Sequence, residues 1–224
     1  MIRVPALAVA FALILSSADA GDLEDLFVQL PASCFAKWGE DGAPLIAAPE
    51  NRGRLVQAAP AALETCAAGL GLRNAVIDRQ HGYLIFGSNT DGEGDVFTLS
   101  FWKCDDGSKL VGVTIEHWGT STSDTIHVSF WRKTGERMRD VTDSFIPVIP
   151  LAKFYDKQPA LVKAAAADGF HWRWMLPQRG TTIRVEAPSL QLLDEYAGLG
   201  DPAHAYEGRW DGKGFTWVRV DPKK

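Results

Sequence analysis

A carboxylate and an imidazole, Glu116 and His127, stand in two neighbouring β-rich runs, "KLVGVTIEHW" and "TIHVSFWRK", with Asp124 just ahead of the second. If the runs pair as adjacent strands, period-two alternation sets Glu116 and His127 on one face. Such a pair forms an ion pair before it forms an acid–base dyad, so a hydrolytic centre of Glu116, His127 and Asp124 requires all three to converge in a cleft. The same alternation brings Trp102 and Trp131, from the repeated elements "SFWK" and "SFWR", onto that face among Ser, Thr and Gly. It sends Phe101 and Phe130 to an opposite, aliphatic face. Two Trp rings on a half-polar face can serve as a ligand platform, or can fill the margin beneath a covering helix or loop, and packing is the commoner use of large side chains.

Other chemistry-bearing patterns are sparse. The chain has no G-x-S-x-G, S-x-x-K, H-E-x-x-H or P-loop, so the commonest exported-hydrolase and nucleotide signatures are absent. No two of the five histidines, His81, His117, His127, His171 and His204, have the i, i+4 spacing of a helical metal site. "NTDGEGD", Asn89 to Asp95, has oxygen ligands at alternate positions, but Ser100 falls where an EF-hand places its bidentate Glu, and a soluble inter-strand loop is the better reading. Neither a metal nor a cofactor is expected. Cys34, Cys66 and Cys104 make an odd number. One disulfide and one free thiol is the simplest arithmetic, with Cys34–Cys66 the first pairing to expect and Cys66–Cys104 the other.

The elements that must position these residues fall in a definite order. "DLEDLFVQLP" has Leu23, Leu26, Phe27 and Leu30 at helical spacing, "EDGAPLIAAPENRG" reads as a loop, and Arg54 to Leu70 reads as the main N-terminal helix. Three β-hairpins follow, the clearest turning at Asp105-Asp106-Gly107. The spaced prolines of "VTDSFIPVIP" predict an extended connection rather than a central strand. "PALVKAAAADGF" predicts a second helix, and two more hairpins turn at Pro177 to Gly180 and Asp211 to Gly214. The fold class is therefore α+β, an antiparallel hairpin-rich sheet with an N-terminal helix and a second helix mid-chain. Helix and hairpins recur after about a hundred residues, as an internal pseudo-repeat.

The chain opens with Arg3, an apolar run from Val4 to Leu15, and Ala18-Asp19-Ala20 before Gly21. This is the pattern of a cleavable signal peptide over 1–20, with no Cys at the cleavage point for a lipid anchor. Residues 21–224 are then an exported α+β domain, either single or two half-modules, 21–150 and 151–224. Cleavage removes Arg3 and Asp19 and leaves the formal charge at −5, which with no basic run argues against nucleic acid as a partner. The mature chain is expected to be soluble and periplasmic or secreted.

The layout resembles a group of small exported bacterial proteins without assigned function. The resemblance rests on the Leu30-Pro31 turn, the strand-turn-strand around "FWKCDDGSKLVGV", the "VTDSFIPVIP" connection and the closing "GTTIRV" and "RWDGKGFTWV". It implies a periplasmic or secreted α+β protein and carries over no catalytic residues. The leading functional expectation is a non-catalytic exported module that binds a protein or cell-envelope component, with Trp102, Trp131, Glu116 and His127 as candidate binding residues. A periplasmic hydrolase, a secreted enzyme inhibitor and a purely structural envelope domain are the alternatives.

Overall fold

The computed structural model describes residues 20–36, 38, 43–88, 94–118, 123–168, 170, 172–187, 190 and 194–222. Residues 1–19 of the expected signal segment 1–20, and 89–93 of the acidic loop, lie outside them.

The N-terminal part is a run of short helices: α1 (Ala20–Gln29), α2 (Ala43–Ala47), α3 (Pro49–Gln57) and α4 (Leu63–Ala68). Two expectations are corrected here. The segment predicted as a loop holds α2 and the start of α3, because Pro49 opens a helix as readily as it breaks one. The single helix expected from Arg54 to Leu70 is instead broken: Ala58 and Ala59 are extended ahead of Pro60, as a residue before proline prefers.

Strands β1 (Arg73–Asp78), β2 (Tyr83–Gly87), β3 (Gly94–Lys103), β4 (Lys109–Trp118), β5 (Ser123–Thr134) and β6 (Arg137–Asp140) form one antiparallel meander in chain order. At the β3–β4 turn Gly107 takes φ +78°, and Asp106 Oδ1 accepts the Ser108 N–H at 2.9 Å. The proline-spaced connection after β6 carries only 3₁₀ turns and leads to α5 (Pro159–Ala167). A second sheet, ordered β10-β9-β8-β7, is built from β7 (Arg173–Met175), β8 (Thr182–Glu186), β9 (Ala205–Trp210) and β10 (Phe215–Val220). The α+β class, the N-terminal and mid-chain helices and the antiparallel hairpins are thus as the sequence predicts. No helix among the described residues is long and apolar enough to cross a membrane.

Both faces of the six-stranded sheet are buried. One lies under the helices: Leu23, Leu26, Phe27 and Leu30 of α1 pack on Phe86, Phe97, Leu99, Val111, Val113 and Ile115. Phe97 stacks on Phe86 at 4.9 Å and on Phe35 at 5.2 Å. The other face lies partly under the second sheet, where Trp102, Leu110 and Phe130 join Trp174, Ile183 and Val185. The two sheets are tied by Ser100 Oγ donating to the Pro177 carbonyl at 2.8 Å, and by the Trp102 and Trp210 indole N–H groups donating to the carbonyls of Thr181 and Lys103.

The register overturns the expected sharing of faces. Phe101 lies across from Val111, and Val111 across from Trp131, while Gly112 lies across from Phe130. Phe101 and Trp131 therefore share the helix-covered face, and Trp102 and Phe130 share the other. A one-residue change of register exchanges every side chain between faces. Alternation alone does not fix the register when both faces are buried, and here β5 also carries an irregularity opposite Ile115 and Glu116.

Candidate functional site

Neither Trp offers a surface. Trp102 is 3% exposed, wedged over Gly112, where a Cβ would meet its ring at 3.0 Å. Trp131 is 9% exposed on the opposite face, its indole N–H donating to Ser129 Oγ at 3.0 Å. The expected platform of two rings does not form, and the cover on the Trp102 face is the second sheet, not the helix that includes Arg54.

Glu116 and His127 are not brought together as expected. His127 lies across from Ile115, on the helix-covered side, whereas Glu116 lies across from Val96 on the side of Trp102. The irregularity in β5 separates them: Thr125, not His127, is the partner of Glu116. The side chain of Asp124 lies outside the described residues. Glu116 Oε2 accepts instead from Arg173 Nε of β7 at 2.8 Å. The expected Cys34–Cys66 pair is also not formed, since all three cysteines are free. Cys34 is buried beside Ser129, and burial pushes its thiol up to about 12 against the opposing pull of Arg52. Cys66 packs at the margin of the same core cluster, its Sγ directed to the Arg54 carbonyl at 3.6 Å.

The Glu116–Arg173 contact closes one side of an open cavity of about 370 Å³. The second sheet covers only part of the face, and the cavity occupies the space between β7 and the uncovered ends of β2, β3 and β4. Tyr83, Ile85, Val96, Met175 and Leu176 give it apolar walls. Thr98 and Tyr83 supply hydroxyls, and Glu116 and Arg173 supply fixed charges. Burial raises the Tyr83 phenol above its ordinary range, helped by the charge of Glu116 and opposed by a hydrogen bond with Thr98, so the hydroxyl stays protonated at neutral pH. Val76, 45% exposed and paired with Ile85, continues the apolar strip to the sheet edge.

Mostly apolar walls with a few fixed polar groups are the composition of a small-molecule site, and the volume lies in the usual range. Of the four candidate binding residues, only Glu116 lines the cavity. Arg173, Tyr83 and Met175 were not singled out by sequence because Tyr83 stands on β2 and the other two on β7, far apart in the chain, and nothing in the chain announces that β7 crosses over β4. Among the described residues no three His, Cys, Asp or Glu side chains gather as a metal site would need.

Comparison with known proteins places the fold alone. No family model matches the chain, and no curated protein does. Among solved structures, a domain of an uncharacterized protein from Porphyromonas gingivalis is similar, with a TM-score of 0.54 and 16% identity over 88% of this chain and 97% of that one. At that identity the likeness is one of architecture: the chain shares its α+β fold with a bacterial protein domain.

Proposed function

We propose that this chain is an exported, non-catalytic binding protein, and that it holds an apolar group of a cell-envelope or protein ligand in the cavity between β2–β4 and β7. The observation that carries the reading is the incomplete cover of one sheet face: apolar side chains left half open beside two hydroxyls and an oriented ion pair. Such a site rewards a ligand with an apolar body and one polar end. Export is supported by the apolar run and Ala18-Asp19-Ala20.

A neutral fluorophore, N-phenyl-1-naphthylamine, tests the site. Saturable binding of one probe per chain is expected, and Val96→Trp, which fills the cavity from its floor, should abolish it while leaving the circular dichroism unchanged. Absence of saturable binding, or equal binding by the folded Val96→Trp variant, overturns the proposal. For export, the full chain expressed in a Gram-negative host should be recovered from the periplasm with Gly21 as its first residue, and an uncleaved cytoplasmic product overturns that part.

A further inference from the structure

A second opening, distinct from this cavity, lies beside the β5–β6 hairpin. It is a groove of about 800 Å³ lined by Arg132, Arg137, Arg139, Val141, Ser144 and Phe145, with Thr134 and Glu136 at the turn. The register explains the crowding of charge. Arg132 is the cross-strand partner of Arg139, and Thr134 that of Arg137, so the three arginines rise from one face of two adjacent strands. Like charges directly opposite one another destabilise a strand pair.

The usual remedy, a matching set of carboxylates, is missing among the described residues. Asp106 stands 3.7 Å from Arg132 Nη1 and already accepts from the Ser108 N–H and hydroxyl. Asp140 is turned to the Thr142 N–H and hydroxyl at 2.9 and 2.6 Å. Neither Arg137 nor Arg139 takes part in an ion pair with any described residue, and Arg132 Nε is buried without a hydrogen-bond partner. Glu136 is the single carboxylate of the lining against three guanidinium groups. The guanidinium carbon of Arg132 lies over the Phe145 ring, 5.9 Å from its centroid, a cation–π contact that puts an aromatic wall on the same groove. In a chain of formal charge −5, this is a local concentration of the opposite sign.

We propose that the groove binds a phosphate monoester borne on an apolar or aromatic body. Guanidinium forks match phosphate oxygens in bidentate geometry, and three forks offer more donors than the two oxygens of a carboxylate can accept. The Ser144 and Thr134 hydroxyls add donors to the dianion, while Phe145 and Val141 receive the body. The phosphate belongs either to a soluble ester or to a phosphomonoester lipid headgroup, and the chemistry of the groove is the same for both.

Phenyl phosphate is the soluble probe, titrated calorimetrically at low salt into the full protein. One site per chain is expected, with affinity falling as salt rises and about tenfold or greater weakening in Arg137→Gln/Arg139→Gln. Both side chains are exposed, so the variant should fold, and circular dichroism confirms it. Arg132→Lys, which keeps the charge and removes the fork, should weaken phenyl phosphate more than it weakens phenylacetate. Phosphatidylcholine vesicles containing phosphatidic acid separate the sources: co-sedimentation that phenyl phosphate competes away assigns the lipid, and its absence beside phenyl phosphate binding assigns the soluble ester. No phenyl phosphate binding, undiminished binding by the double variant, or vesicle binding that phenyl phosphate does not displace each overturns the proposal.

Discussion

The two faces of the six-stranded sheet are closed by different kinds of cover, and the difference places the openings. Helices lie along the Phe97 face and follow its contour, filling it with stacked and edge-on rings from α1 and the turn at Phe35. The other face receives a second, smaller sheet, and a twisted sheet laid on a longer one reaches only part of it. The second sheet seals the middle of the face around Trp102 and Phe130, leaving an apolar cavity towards β2 and an arginine-lined groove by β6. Completeness of cover, rather than residue type, separates core from candidate site.

The sharpest test of the helix-covered side is Arg52. This residue of α3 is 1% exposed and has no carboxylate partner among the hydrogen bonds of its guanidinium. Its Nη1 donates to the carbonyls of Ile46 and Ala47 at 3.1 and 2.6 Å, and its Nη2 to those of Val28 and Leu30 at 2.8 Å each. One cation thereby satisfies the C-terminal ends of α1 and α2, where helices leave carbonyls unpaired and their dipoles favour positive charge. Arg52→Met preserves bulk and removes the donors, and should lower stability by at least about 4 kcal/mol, read as a fall in the urea midpoint. Arg184→Met on the second sheet removes a half-buried contact with Glu186 and the Pro222 carbonyl and should cost less than about 1 kcal/mol. Equal losses would break the contrast between the two covers.

Gly112→Ala asks whether the sealed middle of the second face is as close-packed as the helical side. An added Cβ would meet Trp102 at 3.0 Å and Phe130 at 3.2 Å, distances that force one ring to move. A loss of about 1–3 kcal/mol with a shifted tryptophan emission is expected. A neutral substitution would mean that the second cover is loose throughout, and the openings would then lose their meaning as specific sites.

The thiols probe the same contrast without altering the fold. Cys34, buried under the helices with its pKa pushed up to about 12, should resist iodoacetamide in the native protein, while half-exposed Cys66 reacts. Mass measured without reductant checks the free state of all three thiols.

The elements were legible where a local signal existed. The Asp105-Asp106-Gly107 turn, the leucines of α1 and the prolines after β6 each act within a few residues. What stayed hidden depends on pairing at a distance. The hydrophobic run Ile126, Val128, Phe130 matches that of Val111, Val113, Ile115, yet the register puts Val128 opposite Thr114 and Phe130 opposite Gly112. Two buried faces accept apolar residues equally, so period two no longer identifies the inside. Glu116 was visible as a carboxylate in a strand, but its partner Arg173 lies 57 positions away. The arginine groove had a signal that pairing would have exposed: "RKTGERMR" folded about its Gly135 turn sets Arg132 against Arg139.

The smallest expected effect concerns the seam between the sheets. Asp78, at the end of β1, accepts from the His81 ring at 2.9 Å and from Gln178 Nε2, in the β7–β8 turn, at 3.1 Å. Partial burial raises its carboxyl pKa, but the bonds from His81 and Gln178 outweigh this and hold it below the ordinary value of 3.8. A carboxylate with a depressed folded-state pKa adds stability above its unfolded value and loses it as the pH falls through the folded one. The stability difference between the parent protein and Asp78→Asn should therefore be full near about pH 5 and shrink towards about pH 3. The helix-covered face, which Asp78 does not touch, should keep its Cys34 protection across that range. A pH-independent difference would show that the Asp78 contacts do not depend on its charge, and the seam would then rest on the packing around Trp102 and Trp174 and on the other hydrogen bonds between the sheets.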